Sequence, residues 1–174
     1  MPREFAIVPP DLRLAMLIAG LIVAVNIAVV ALFAREEPLV LCVLPILAIS
    51  IGASAWWALR RRISLDDGRL RVVSGLLRIT VPATALDLDT ARVVNLANEA
   101  PLRPWLKTFG MAMPGYRAGY FRLRNRSRAF VMLTDTARVL ALSERGGRTL
   151  LLSVEKPQAL LDALRDVARK AGRR

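Results

Sequence analysis

The sequence predicts a two-helix transmembrane hairpin followed by a mainly-β domain of about seven short antiparallel strands capped by a C-terminal α-helix. Three features of the pattern lead there. Two apolar runs, 12–34 and 39–59, are split by the polar break Arg35-Glu36-Glu37-Pro38. From Ile63 onward apolar residues recur with period two between turn-forming residues, and from Pro157 they recur with helical spacing. The 174 residues therefore divide into a tail (1–11), a membrane hairpin (12–62) and a second domain (63–174).

The first run holds one charge, Arg13 at its edge, and the second holds none. As helices they would extend about 35 and about 31 Å, enough for a hydrocarbon core of about 30 Å. Lipid offers backbone amides no water, so a crossing segment must be helical. A cleaved leader fits less well: its apolar region runs to about 15 residues and ends in a small-residue site. Here the run is longer and a second follows at once. Pro9 and Pro10 suit a helix entrance and Asp11 can cap it, while the rest of the tail reads as a loose end.

Lys/Arg bias sets the orientation. Arg3, Arg13, Arg60, Arg61 and Arg62 fall on one side and Arg35 alone on the other, which puts both termini in the cytoplasm. Trp56 and Trp57 sit where interfacial aromatics belong. Asn26 reads as a contact between helices, as do Ser50, Gly52 and Ser54, and Pro45 as a kink. No acidic or basic residue accompanies them, so no transport pathway is indicated.

Past Arg62, Asp66-Asp67-Gly68 is a tight-turn signal between Ile63–Leu65 and Arg69–Ser74. Alternation resumes over 76–81, and 92–96 is a short apolar run. The segment 98–114 is punctuated by Pro and Gly and resists assignment. Segments 119–124 and 128–133 flank a turn at Asn125-Arg126-Ser127, and 138–142 and 148–152 form a second hairpin around Glu144–Gly147. In the last segment Leu160, Leu161, Leu164, Val167 and Ala168 share one helical face.

Composition narrows the function. Mean hydropathy is +0.41, high because of the hairpin. Net charge is +12, and from Arg60 onward 23 Lys+Arg stand against 10 Asp+Glu, leaving +13 there. Such a domain suits anionic headgroups or another polyanion. Charge alone does not carry nucleic-acid binding, since no base-stacking platform or known motif accompanies it. There is no histidine, which removes the commonest general base and metal ligand. The single Cys42 lies in the second run and cannot form an intramolecular disulfide.

The residues Ile63-Ser-Leu-Asp-Asp-Gly-Arg-Leu-Arg71, Gly110-Met-Ala-Met-Pro-Gly-Tyr-Arg-Ala-Gly-Tyr-Phe121, Leu133-Thr-Asp135 and Leu152-Ser-Val-Glu-Lys-Pro157 resemble those of bacterial pleckstrin-homology-like (PH-like) domains that follow one or two membrane spans. The resemblance covers about two thirds of the chain. It implies a barrel plugged by its C-terminal helix and a non-enzymatic, membrane-anchored module at the bacterial cytoplasmic membrane. It supplies no catalytic residues.

Candidate contacts follow from these expectations. Arg60, Arg61 and Arg62 read as topology determinants and headgroup contacts. Arg117, Arg122, Arg124, Arg126 and Arg128 form the densest basic set, with Arg122 and Arg124 on one strand face and Tyr116 and Tyr120 nearby. They suit bidentate phosphate contact, although a solvated outer hairpin face would give the same pattern. Asp66-Asp67 and Asp87-x-Asp89 are carboxylate pairs without converging partners. No catalytic, cofactor-binding or metal-binding residue is assigned. A protein or peptide partner at a strand edge is the leading expectation, and an anionic lipid surface the alternative. Oligomeric state is left open.

Overall fold

A computed structural model describes residues 3–11, 13–33, 45, 46, 48–50, 52, 61–75 and 77–171. The element order is β1 (Arg3–Phe5), α1 (Arg13–Phe33), then nine strands: β2 (Arg61–Asp66), β3 (Arg69–Ser74), β4 (Leu77–Pro82), β5 (Leu86–Val94), β6 (Pro104–Met113), β7 (Tyr116–Leu123), β8 (Arg128–Leu133), β9 (Val139–Glu144) and β10 (Arg148–Leu152). The C-terminal helix α2 (Pro157–Ala171) closes the chain.

The strands build two sheets rather than the expected set of about seven. One has the order β1-β2-β3-β4, the other β5-β9-β10-β8-β7-β6. All pairings are antiparallel except β10 with β8, which run parallel. That pairing corrects the all-antiparallel expectation. It arises because the β9–β10 hairpin folds back onto β8.

Local chemistry explains the elements. The β2–β3 turn places Asp67 at φ 45° and Gly68 at φ 76°, the left-handed pair that a two-residue hairpin requires and that Asp-Gly supplies at little cost. Period two then sends Ile63, Leu65, Leu70, Val72, Ile79 and Val81 to one face. They meet Phe130, Met132, Leu140, Leu142, Leu150 and Leu152 from the second sheet, and α2 contributes Leu160, Leu161 and Leu164. Burying each such side chain stabilises the fold by about 1.5–3 kcal/mol. Val167 and Ala168 pack at the rim of the same core, as the helical spacing predicts.

Alternate residues of the six-stranded sheet build a second core on its other face: Ala129, Val131, Leu133, Val139, Ala141 and Leu151, joined by Phe121 and Leu123. Leu96 and Leu102 cover it from the β5–β6 connection. Arg103 closes that connection, donating from Nε to the Leu96 carbonyl at 2.6 Å and from its guanidinium to the Ala97 carbonyl. The back of the β7–β8 hairpin is therefore buried, while Arg122, Arg124, Arg126 and Arg128 are themselves exposed.

The tail is not a loose end. Arg3, Glu4 and Phe5 pair with Leu65, Ser64 and Ile63, Ile7 bridges to Val154, and Phe5 and Ile7 pack on the main core. Arg61 and Arg62 are the first residues of β2.

The N-terminal helix starts as expected, with the Arg13 amide bonded to the Asp11 carboxylate at 3.1 Å. Asn26 donates to the Ile22 carbonyl of its own helix at 2.8 Å, so its amide is spent locally. Among the described residues no helix is long and apolar enough to cross a membrane, and the expected pair of spans is not found there. Several side chains of α1 fall outside the description, and the second run is described only at 45, 46, 48–50 and 52. Arg60, Trp56, Trp57, Cys42 and Ser54 lie outside the described residues.

Candidate functional site

The predicted arginines separate into two groups. Arg117 stands at the start of β7, beside Tyr116, close to the entrance of α1. There Gly115 turns at φ 75°, and a Cβ on it would come within 1.9 Å of the Asp11 carbonyl oxygen. Glycine is therefore required where the β6–β7 turn meets the helix entrance. Arg61 joins this end, its guanidinium carbon 5.2 Å from the centre of the Tyr116 ring. Arg62 is paired with Glu4 at 3.3 Å.

Tyr116 ties the two sheets together, its hydroxyl 2.5 Å from the Ser74 hydroxyl. Burial pushes its pKa up from 10.0, opposed by the Ser74 hydrogen bond and by the Arg61 charge. The site is structural: it holds β7 against β3.

Arg122, Arg124, Arg126 and Arg128 gather at the opposite end of β7. β7 ends at Leu123, so Arg124 lies in the turn and does not share a strand face with Arg122, contrary to the expectation from period two. Arg126 takes φ 66° at the tip of that turn. Arg122 and Arg128 are directly opposite in register. Like charges so placed repel. Among the described residues the ion pairs are Arg62–Glu4, Arg92–Glu99, Arg148–Glu144 and Arg169–Asp166, so no carboxylate neutralises these four arginines.

A second component went unseen in the sequence. Among the described residues β6 pairs only with β7, and no strand pairs with its outer edge. It exposes Trp105 (72%), Leu106 (53%) and Phe109 (63%). Register shifts between Pro104 and Leu106 and between Lys107 and Phe109 bulge this half of the strand. Leu106 stands opposite Arg122, and Phe109 opposite Tyr120. Tyr120 in turn makes an edge-on contact with Phe130, ring centres 5.3 Å apart, and Phe130 is fully buried. An aromatic row thus runs from the core to the free edge, with an arginine row beside it. The two bulges hide period two and explain why 98–114 resisted assignment. The visible signal was the β-favouring Trp105, Thr108 and Phe109 between Pro104 and Pro114.

The carboxylate pairs do not assemble a reactive centre among the described residues. Asp67 is spent in its turn. Asp87 accepts the Thr90 hydroxyl at 2.9 Å in the irregular part of β5. Asp87 and Asp89 line a hollow of about 580 Å³ with Arg145, Arg165 and Arg169, whereas Glu99 pairs with Arg92 elsewhere. Among the described residues no three His, Cys, Asp or Glu side chains are grouped to hold a metal ion.

Two of the segments that carried the family resemblance, 133–135 and 152–157, meet in space. Ser153, fully buried, donates its hydroxyl to the Asp135 carbonyl at 2.8 Å and accepts the Thr134 and Asp135 amides at 3.3 Å. Two packed sheets closed by a C-terminal helix define a PH-like fold, generally a non-catalytic binding scaffold. A family model described as bacterial PH domain matches residues 61–168. The chain belongs to that family. Comparison with curated proteins and with solved structures found no match.

Proposed function

We propose that this protein is a non-enzymatic, membrane-anchored PH-like module that binds a protein or peptide partner, or holds an assembly, at the bacterial cytoplasmic membrane. The observation that carries the binding is β6: a free strand edge exposing Trp105, Leu106 and Phe109. Three large apolar side chains exposed within five residues of one edge strand mark an interaction surface. The regular stretch 109–113 leaves backbone groups for an added strand, and the bulged half presents side chains instead.

The anchoring reading rests on the two apolar runs and on α1, where Met16, Leu17, Ile18, Leu21, Ile22, Val25 and Ile27 are all exposed. At 100° per residue these positions cover about two thirds of the circumference, with Val30 buried on the remaining stripe, and so wide an apolar surface belongs in a core or in lipid. Lys/Arg bias then favours both termini in the cytoplasm.

A photo-crosslinking residue at Phe109, in the full chain in its own cells, tests the binding. We expect reproducible crosslinks to a protein from position 109 and none from the exposed position Arg71 on β3. Crosslinks to neither, or equally to both, would remove β6 as the partner site. The second reading, a sensor of anionic headgroups, is favoured by the four arginines at the β7–β8 turn that no carboxylate neutralises among the described residues. It expects the full chain in nanodiscs to be shielded at that turn only when anionic lipid is present.

A further inference from the structure

We infer that the free face of β6 and the β7–β8 turn form one docking site for an acidic polypeptide segment that carries aromatic or aliphatic anchors. This rests on the partner-binding reading above and specifies the partner's chemistry. Cross-strand register makes the two features one surface. Leu106, Arg122 and Arg128 form one row, and Phe109, Tyr120 and Phe130 the next. An occupant lying across β6 therefore meets apolar side chains and guanidinium groups a few ångströms apart.

Charge complementarity selects the sign of the occupant. Arg148 continues the row as the β10 partner of Arg128, but Glu144 neutralises it at 2.7 Å. No carboxylate does so for Arg122, Arg124, Arg126 or Arg128 among the described residues. An isolated domain gains nothing from facing two arginines across a strand pair. A partner carboxylate relieves the repulsion and gains paired, directional hydrogen bonds from the planar guanidinium.

Position favours a polypeptide over the bilayer. The β6–β7 turn is the end that touches Asp11, where α1 begins. The arginine turn lies at the other end of β7, about 26 Å along the strand. That is about three Debye lengths at physiological salt, beyond effective attraction by headgroups at the helix entrance.

The test pans a display library of random dodecapeptides against the full chain in non-ionic micelles. Selected peptides are then measured by fluorescence polarisation. Expected are sequences combining Asp or Glu with aromatic or aliphatic residues, bound at least tenfold more weakly after Arg122→Glu and after Trp105→Ser. Binding should also weaken as salt rises from 50 to 500 mM. Arg122→Glu places a carboxylate opposite Arg128, so its unfolding temperature should hold or rise, which separates lost binding from lost fold. Enrichment of peptides without acidic residues, no enrichment, or affinity unmoved by Arg122→Glu would overturn the inference. So would a Trp105→Cys thiol that a water-soluble maleimide labels in zwitterionic nanodiscs but not in phosphatidylglycerol nanodiscs, which would make the bilayer the occupant. Crosslinks at position 109 together with a failed peptide selection would leave partner binding standing and remove only its acidic character.

Discussion

Two hydroxyl-bearing residues hold this fold in ways that exposure alone does not reveal. Tyr116 spans the gap between the sheets to Ser74. Tyr116→Phe removes that bond and leaves a buried serine hydroxyl without its partner, at a cost of about 1–3 kcal/mol. Its titration gives a further signature. The folded-state pKa is raised, first of all by burial. The neutral phenol's contribution to stability is therefore complete below the unfolded value of 10.0 and is lost as pH climbs through the folded value. Thermal unfolding between pH 9 and 11.5 should show a steeper alkaline fall in the native protein than in Tyr116→Phe. Parallel curves would mean that this tyrosine does not titrate on unfolding. Ser153 holds the Thr134-Asp135 corner through three hydrogen bonds. Ser153→Ala strands two amides and a carbonyl, and should lower stability by about 1–3 kcal/mol. Denaturant titration in micelles reads this directly, and a loss under 0.5 kcal/mol, roughly the level of a neutral surface change, would show that water replaces the hydroxyl.

Among the elements, β1 and β6 depart furthest from the sequence reading, and for different reasons. β1 is three residues long, too short to show any period, and only its pairing partner in β2 makes it a strand. Its contribution is apolar: Phe5 and Ile7 pack against the main core. Replacing both with alanine should cost about 2 kcal/mol, since each is only partly buried. Glu4→Ala, which removes an exposed pair with Arg62 at 3.3 Å, should cost under about 1 kcal/mol. Chemical unfolding of the two variants side by side checks the contrast, and equal losses would mean that β1 acts through its charge. β6 is long, but its bulges at Pro104/Leu106 and Lys107/Phe109 break alternation where a strand is otherwise recognised. Bulges also blunt an edge against unselective pairing, leaving the exposed aromatics to select an occupant. By contrast β2, β3, β8 and α2 were legible, because each buries one face or stripe against a core wide enough to enforce its period.

For the molecule as a whole, residue order suffices to reveal the apolar N-terminal runs, the switch to period two after Arg62, the basic bias and the C-terminal amphipathic helix. A cytoplasmic second domain follows from that bias as an expected outcome: a reporter fused after Arg174 should be active inside the cell and inaccessible to external protease. Accessibility from outside would reverse the orientation. Partnership between elements came from the folded arrangement. It sewed the tail onto β2, ran β10 parallel to β8, and set Arg122 opposite Arg128. It also buried the back of an arginine-rich hairpin and brought Trp105, Leu106 and Phe109 beside it. Local periodicity records which side of a residue meets a core. Which strand lies next to it is settled by long-range closure of two sheets around shared apolar volume, and no short stretch of sequence encodes that choice alone.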